Sequence, residues 1–197
     1  MDKVKVSVMT GKLKGLAAVN TSPLDNDYCK AMSENPDNIC HYCYSQKMLK
    51  GLRKNCRPSW KKNGELLSAF GLTASQLPKI KTELCRFSAH GELINRTHAL
   101  NYFEIARANP KVTFAFWTKR PLFVPTDETP DNVVMVYSSP QLNTPGKLPH
   151  GFDKVFTVYK KDKAEGVTIN CGAKSCDTCR LCYDKSNGVV FVNEIVK

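Results

Sequence analysis

Residues 112–117 (VTFAFW), 133–137 (VVMVY) and 155–159 (VFTVY) decide the fold class. Each is a short, uncharged run rich in β-branched and aromatic residues, which is the composition of a strand. They recur at intervals of roughly twenty residues, a spacing that suits parallel strands joined by crossovers. Working outward, residues 84–88 (LCRFS) are a further β candidate, ending at Ala89-His90-Gly91-Glu92. Ala99, Phe103 and Ala106 then recur at the period of a helix, which Asn109-Pro110 closes. Toward the N-terminus, residues 3–8 alternate polar and apolar, with a hairpin partner around residues 16–19 beyond Gly11. Toward the C-terminus, residues 167–169 lead into a cysteine cluster, and residues 189–192 form a last apolar stretch after Gly188. Several crossovers, such as residues 121–130, read as loops. A closed eight-stranded βα barrel takes about 250 residues, whereas this chain has 197, some of them in cysteine loops. The expected fold is α/β. It is a single domain: a partial (incomplete) βα barrel over about 1–165, with a cysteine-rich metal-binding C-terminal extension over about 166–197 packed near its open end.

Hydrophobic content of 42% and charged content of 24% are ordinary for a globular chain with one core. No apolar run approaches the length of a membrane span, and Met1-Asp-Lys-Val-Lys-Val lacks a signal-peptide core. No membrane contact and a cytoplasmic location are therefore expected. There, disulfides are uncommon and clustered cysteines more often mean metal. Nine cysteines also cannot all pair within one chain. The net charge of +11 favours acidic partners, nucleic acid first, against the blander reading that lysines only maintain solubility. An unknown protein partner is the other option. Residues 45–60 have the spacing of a basic helix broken by Pro58, carrying Lys47, Lys50, Arg53, Lys54 and Arg57, with Lys61 and Lys62 beyond. Those charges either contact phosphate or form a solvated face. The aromatic residues are not interleaved with the charge as a stacking platform.

Cys171-Gly-Ala-Lys-Ser-Cys176-Asp-Thr-Cys179-Arg-Leu-Cys182 places four cysteines in twelve residues, spaced C-x4-C-x2-C-x2-C. Thiols on such short steps must converge. The run contains both the C-x4-C-x2-C and the C-x2-C-x2-C patterns of ferredoxins, which points to an iron–sulfur cluster. Structural zinc is the main alternative, although zinc modules usually join two C-x2-C pairs from separated segments. A disulfide ladder is the third reading. A second constellation lies upstream: Cys29, then Cys40-His41-Tyr42-Cys43-Tyr44. Cys85 sits in a strand pattern and reads as a buried core thiol. Cys56 is either a fourth ligand to the upstream group or an ordinary helix cysteine. His41 is expected to point away from the metal. His90, at a strand-to-loop junction, is placed either for chemistry or for a structural hydrogen bond. His98 and His150 offer nothing specific. There is no phosphate-cradling glycine loop, carboxylate pair or Ser–His–Asp arrangement, and thiols held by metal are poor nucleophiles for a Cys–His pair.

Cys40-His41-Tyr42-Cys43 resembles the end of the radical S-adenosylmethionine signature, C-x3-C-x2-C. In that family three thiolates hold a 4Fe–4S cluster, and an aromatic residue, here Tyr42, precedes the last cysteine. Ten residues separate Cys29 from Cys40, where the signature has three. His90-Gly91-Glu92 resembles the family's Gly-Gly-Glu turn with its first glycine replaced, which implies binding of the methionine amine of S-adenosylmethionine. Ser138-Ser139 resemble the polar residues that meet the ribose. Residues 155–159 have no counterpart of the glycine motif that lines the adenine. Over nearly the whole chain, Cys43-Tyr44, Ser88-Ala89-His90-Gly91, Trp117-Thr118-Lys119, Tyr137-Ser138-Ser139 and Cys176-x2-Cys179-Arg-Leu-Cys182-Tyr-Asp184 occur in order. In these blocks the sequence resembles the small phage proteins named after mycobacteriophage gene product 88. That resemblance implies phage origin, hence the host cell cytoplasm, and metal-binding cysteines. It implies no substrate.

Two metal groups are therefore expected: Cys29, Cys40 and Cys43, leaving an iron open, and Cys171, Cys176, Cys179 and Cys182, fully ligated. An open and a closed 4Fe–4S cluster together make the layout of an electron-relay enzyme of the radical S-adenosylmethionine kind or a reduced descendant. Tyr42, His90, Gly91, Glu92, Ser138 and Ser139 are the expected cofactor contacts. The alternative is a non-enzymatic module, stapled by iron–sulfur or zinc, that binds nucleic acid or protein. In a further arrangement, cysteines from both ends share one cluster.

Overall fold

The computed structural model describes residues 2–196. In chain order its elements are β1 (Val6–Val8), β2 (Ala17–Val19), α1 (Asp27–Glu34), a 3-10 turn (Ile39–Tyr42) and α2 (Tyr44–Lys50). Next come α3 (Arg57–Ala69), β3 (Leu84–Phe87), α4 (Arg96–Arg107), β4 (Thr113–Thr118), β5 (Val133–Leu142) and β6 (Lys154–Tyr159). The one-turn helix α5 (Cys176–Cys179) and β7 (Phe191–Ile195) complete the chain. All seven strands join one sheet in sequential order. β1 pairs antiparallel with β2, as the hairpin pattern requires, and every later pair is parallel. Sequential parallel order is how a βα barrel lays down its strands, but β1 and β7 remain two separate edges. The sheet is open.

The structure corrects the sequence expectation in four places. Pro58 does not break a helix; it lies in the first turn of α3, where its missing N–H costs nothing. The basic segment is instead two helices, separated by the turn at Gly51. β5 runs on past Tyr137 to Leu142, with an irregular register after Ser138. The last strand begins at Phe191, so the sheet's final member lies inside the segment read as an extension. On the way into the cysteine cluster, Thr168 and Asn170 brace β7 through hydrogen bonds with Asn193.

Strand side chains alternate between two faces, and both faces are buried. On one, Val19, Phe87, Phe114, Phe116 and Met135 pack against Leu67 of α3 and Tyr102, Phe103 and Ala106 of α4. On the other, Ala115, Trp117, Val136, Phe156, Val158 and Val192 pack against Cys171, Cys176, Leu181, Cys182 and Tyr183. The cysteine-rich segment is thus the second covering layer of the sheet. Phe87 lies at the centre of the helix side, its ring stacked 4.2 Å from Tyr102 and 4.7 Å from Phe114. Phe87→Ala is expected to lower the unfolding free energy by about 3–5 kcal/mol in urea titration. Leu122→Ser, at a position 96% exposed, is expected to change it by no more than about 0.5 kcal/mol.

Candidate functional site: two cysteine-lined cavities

Two asparagines set the upstream cysteines. Asn26 caps α1 by accepting the Cys29 N–H at 3.2 Å, and its amide donates to the Glu92 carbonyl at 2.9 Å. That pins the first turn of α1, with Cys29 in it, to the end of β3. Asn38 does the same for the 3-10 turn, accepting the Cys40 N–H at 3.0 Å. Cys43 donates its N–H to the Cys40 carbonyl and its own carbonyl opens α2. Asx caps of this kind satisfy the orphan donors of a helix start, so three short local motifs aim three thiols at one place. Cys29, Cys40 and Cys43 line one cavity of about 150 Å3 with Arg86, Ser88, His90, Gly91, Glu92, Trp117, Lys119 and Ser138.

A hydrogen-bonded chain ties the strand ends around this cavity. The Glu92 carboxylate accepts from Thr118 Oγ1 at 2.6 Å, from the Lys119 N–H at 2.8 Å and from the Leu93 N–H at 2.8 Å. Lys119 Nζ donates to Ser138 Oγ at 2.8 Å. The ends of β3, β4 and β5 are thereby locked together. Gly91 has φ +81, and a Cβ there would collide with the Thr21 side chain and backbone. Glycine is needed for that close approach alone. Ser88, at φ 56, is a non-glycine residue held in the left-handed region at the rim. His90 stacks on Trp60 at 4.7 Å and shares a hydrogen bond with Ser45 Oγ at 2.7 Å. Burial, with Arg86 and Arg53 nearby, pushes its pKa down to about 4, so the ring is neutral.

Burial also raises the Cys29 and Cys40 thiols; Glu92 and the neighbouring thiols add to it, and Lys119 opposes it. Ser139 does not line this cavity, and Tyr42 lines an adjoining one of about 280 Å3. That second cavity shares Cys40, Cys43 and Lys119 with the first. His41 points away, bonded through Nδ1 to the Ser33 carbonyl. Cys85 is fully buried in the helix-side core, and Cys56 packs near Met48 and Trp60. The sequence reading missed Arg86, Lys119 and Ser45. Lys119 carried a usable signal, since it directly follows β4, where strands of such sheets end in functional loops.

The other four cysteines line a small apolar cavity of about 30 Å3 with Lys12, Arg180, Leu181 and Tyr183. The two cysteine-lined cavities have no lining residue in common. Cys176 and Cys179 are one turn apart on α5, which ends at Arg180 in the left-handed conformation. Cys171 donates its N–H to the Asn193 carbonyl at 2.9 Å. Lys12 Nζ reaches Cys171 Sγ at 3.2 Å and Glu194 at 3.1 Å. Burial works against the Lys12 charge, but Cys171 and Glu194 outweigh it and its pKa is raised. Lys154, only 1% exposed, donates to Asn187 at 2.9 Å and to the Val189 carbonyl at 2.7 Å. The Arg86 guanidinium lies 3.8 Å from the Trp117 ring centre, and its Nε is buried without a partner among the described residues. Burial pushes the Cys182 thiol up to about 12, with Arg86 and Lys154 opposing. All nine cysteines are free. Among the described residues, no three His, Cys, Asp or Glu side chains form a ready-made site for a metal ion.

Thiol chemistry tests this arrangement. In metal-free protein at pH 8, iodoacetamide is expected to label the exposed Cys179 at least about tenfold faster than Cys29 or Cys182, because the neutral, buried thiol is a poor nucleophile. Peptide mass spectrometry gives the rates; equal rates would contradict the burial.

No helix among the described residues is long and apolar enough to cross a membrane. No curated protein and no solved structure matches the chain. One family model does match, that of Gene product 88, over residues 12–190. The matched span runs from the turn before β2 to the residue before β7, and so takes in both cysteine sets. The chain belongs to the phage Gene product 88 family.

Proposed function

We propose that the protein binds iron–sulfur clusters, one on Cys29, Cys40 and Cys43 and one on Cys171, Cys176, Cys179 and Cys182. The observation that carries this reading is charge. Lys12, Arg86 and Lys154 surround the four-cysteine set, and Lys119 and Arg86 stand at the three-cysteine set. Lys154 is buried and Lys12, Arg86 and Lys119 are half-buried; cations so placed are costly unless they face negative charge, which thiolate-bound metal centres would supply. The donor chemistry fits: of His, Cys, Asp and Glu, only cysteine lines the four-cysteine cavity. A lone zinc ion draws its thiolates to about 2.3 Å from one point, and no such group stands together among the described residues. The C-x4-C-x2-C-x2-C spacing, which contains both ferredoxin patterns, is what favours a cluster over zinc. When bound, such a cluster supplies single electrons. Lys119 and Arg86 would offset the charge of a cluster on the three cysteines and Lys12, Arg86 and Lys154 that of one on the four, while Trp117 would shield the first from water and Tyr183 the second.

The finer form of this reading has S-adenosylmethionine as co-substrate at the three-cysteine cavity. Its support is that His90, Gly91, Glu92 and Ser138 line the same cavity as the three thiols, with Tyr42 next door. The Glu92 carboxylate already accepts three hydrogen bonds. The Gly91 carbonyl, which accepts none from the described residues, is the group left to meet an amine.

Anaerobically purified protein is expected to be brown, with broad absorbance near ~400 nm and about four irons per cluster. Cys43→Ser and Cys182→Ser should each remove one cluster's share of iron. Colourless protein with stoichiometric zinc would refute the reading. Saturating S-adenosylmethionine is expected to shift the electron paramagnetic resonance signal of the reduced protein, and Cys43→Ser should abolish that shift. An unchanged signal would leave a cluster protein without this co-substrate.

A further inference from the structure

A cavity of about 590 Å3 lies beside the three-cysteine cavity and shares His90 with it. Its walls are Met9, Lys12, Tyr42, Tyr44, Lys47, Met48, Arg53, His90 and Glu194, among others. Three features of this cleft are unusual for a plain surface. Tyr44 and Tyr42 are 70% and 40% exposed, so aromatic surface is offered to solvent at its mouth, with Lys160 Nζ 5.9 Å from the Tyr42 ring centre. Lys47 and Arg53 have no carboxylate partner among the described residues, although Arg57 and Lys62, further along the same basic stretch, are ion-paired to Asp25 and Asp2. The one acid in the cleft, Glu194, is already paired with Lys12. The floor, formed by Met9 and Met48, is apolar and buried. Exposed aromatic surface, two cations without a carboxylate (Arg53 donates to the Thr10 hydroxyl) and an apolar floor together match a ring bearing phosphate.

The dimensions narrow the choice. A cleft of this volume suits one small ligand or one nucleotide; a duplex, with its bases paired and stacked inside, could present neither its bulk nor a ring face to it. Beyond the mouth, Lys50 and Lys54 continue the charge as exposed side chains, again with no carboxylate partner among the described residues. We infer that this cleft binds single-stranded nucleic acid, one base lying against Tyr42 and Tyr44 while Lys47, Arg53 and the exposed lysines of the basic segment meet the phosphates. His90 and Tyr42 would then separate the bound nucleotide from the three-cysteine cavity. The reading of that cavity as a cluster site rests on separate residues; this inference draws on it only in naming nucleic acid as the substrate class presented there.

The test is fluorescence anisotropy with a labelled single-stranded 12-mer, as DNA and as RNA, across a salt series. The expected result is binding to the strand that exceeds binding to the matching duplex. Tyr44→Ala should weaken it by about 5- to 150-fold, the cost of one stacked base. The pair Lys47→Gln and Arg53→Gln should reduce the salt slope by about 1.4, the share of two phosphates on a single strand. The control pair Lys81→Gln and Lys111→Gln removes the same charge at the opposite ends of β3 and β4 and should leave both values unchanged, with thermal melting confirming that every variant is folded. The inference falls if the control pair weakens binding as much as the cleft pair, if the duplex binds equally well, or if an unlabelled mononucleotide competes as effectively per site as the strand. Iron content is measured on the same preparations. Colourless protein that binds the strand keeps this inference and removes the cluster; brown protein that does not bind removes this inference and keeps the cluster.

Discussion

A sheet that is apolar on both faces needs two covering layers, and this chain has regular helices for only one of them. α3 and α4 cover one face with Leu67, Tyr102, Phe103 and Ala106. The other is covered by residues 171–183, a segment with a single turn of helix whose apolar content is little more than Leu181, Tyr183 and cysteine sulfur. Area burial alone gives such a segment little purchase. It is held by specific links instead: Cys171 N–H to Asn193, Asn187 to the Leu181 carbonyl, Lys154 to Asn187 and Val189, and Arg180 to Glu83. Four thiols lie within a segment so placed, where the fold most lacks hydrophobic support.

The same logic reaches the opposite cavity. There the strand ends, not the cysteine loops, are the rigid part, because Glu92, Thr118, Lys119 and Ser138 bind them into one rim. The thiols arrive on short elements whose starts are fixed by Asn26 and Asn38. A site held this way keeps its donors in place without a long helix behind each one. Glu92, read from sequence as a ligand contact, is in this arrangement the knot of the rim.

Arg86 is the residue through which the two cavities feel one another. It leaves β3 on the cysteine-covered face, stacks on Trp117, and lines the three-cysteine cavity while opposing the rise in the thiols of Cys176 and Cys182. A guanidinium with a buried, unpartnered Nε in such a position is best satisfied by nearby negative charge, and each cysteine set offers it when deprotonated.

Strand composition at residues 112–117, 133–137 and 155–159 was enough to determine an α/β fold with parallel pairing, because uncharged β-branched runs have few other places to go. That Cys171 to Cys182 would line one cavity was suggested by their short spacing, whereas Cys29, Cys40 and Cys43 meet at another through the capped turns that carry them. What only tertiary structure decided is which side chains from distant segments complete each cavity. Arg86 reads as an ordinary strand residue until Trp117 and the cysteine segment close over it. Tyr42 reads as a cofactor contact beside the last cysteine of its group, and Tyr44 as its neighbour in sequence, until the turn before β2 brings Lys12, and the turn after α2 brings Arg53, to the same cleft. Local periodicity reports the backbone's own preferences over a few residues; the meeting of charges across the sheet depends on strand order and register, which no local pattern encodes.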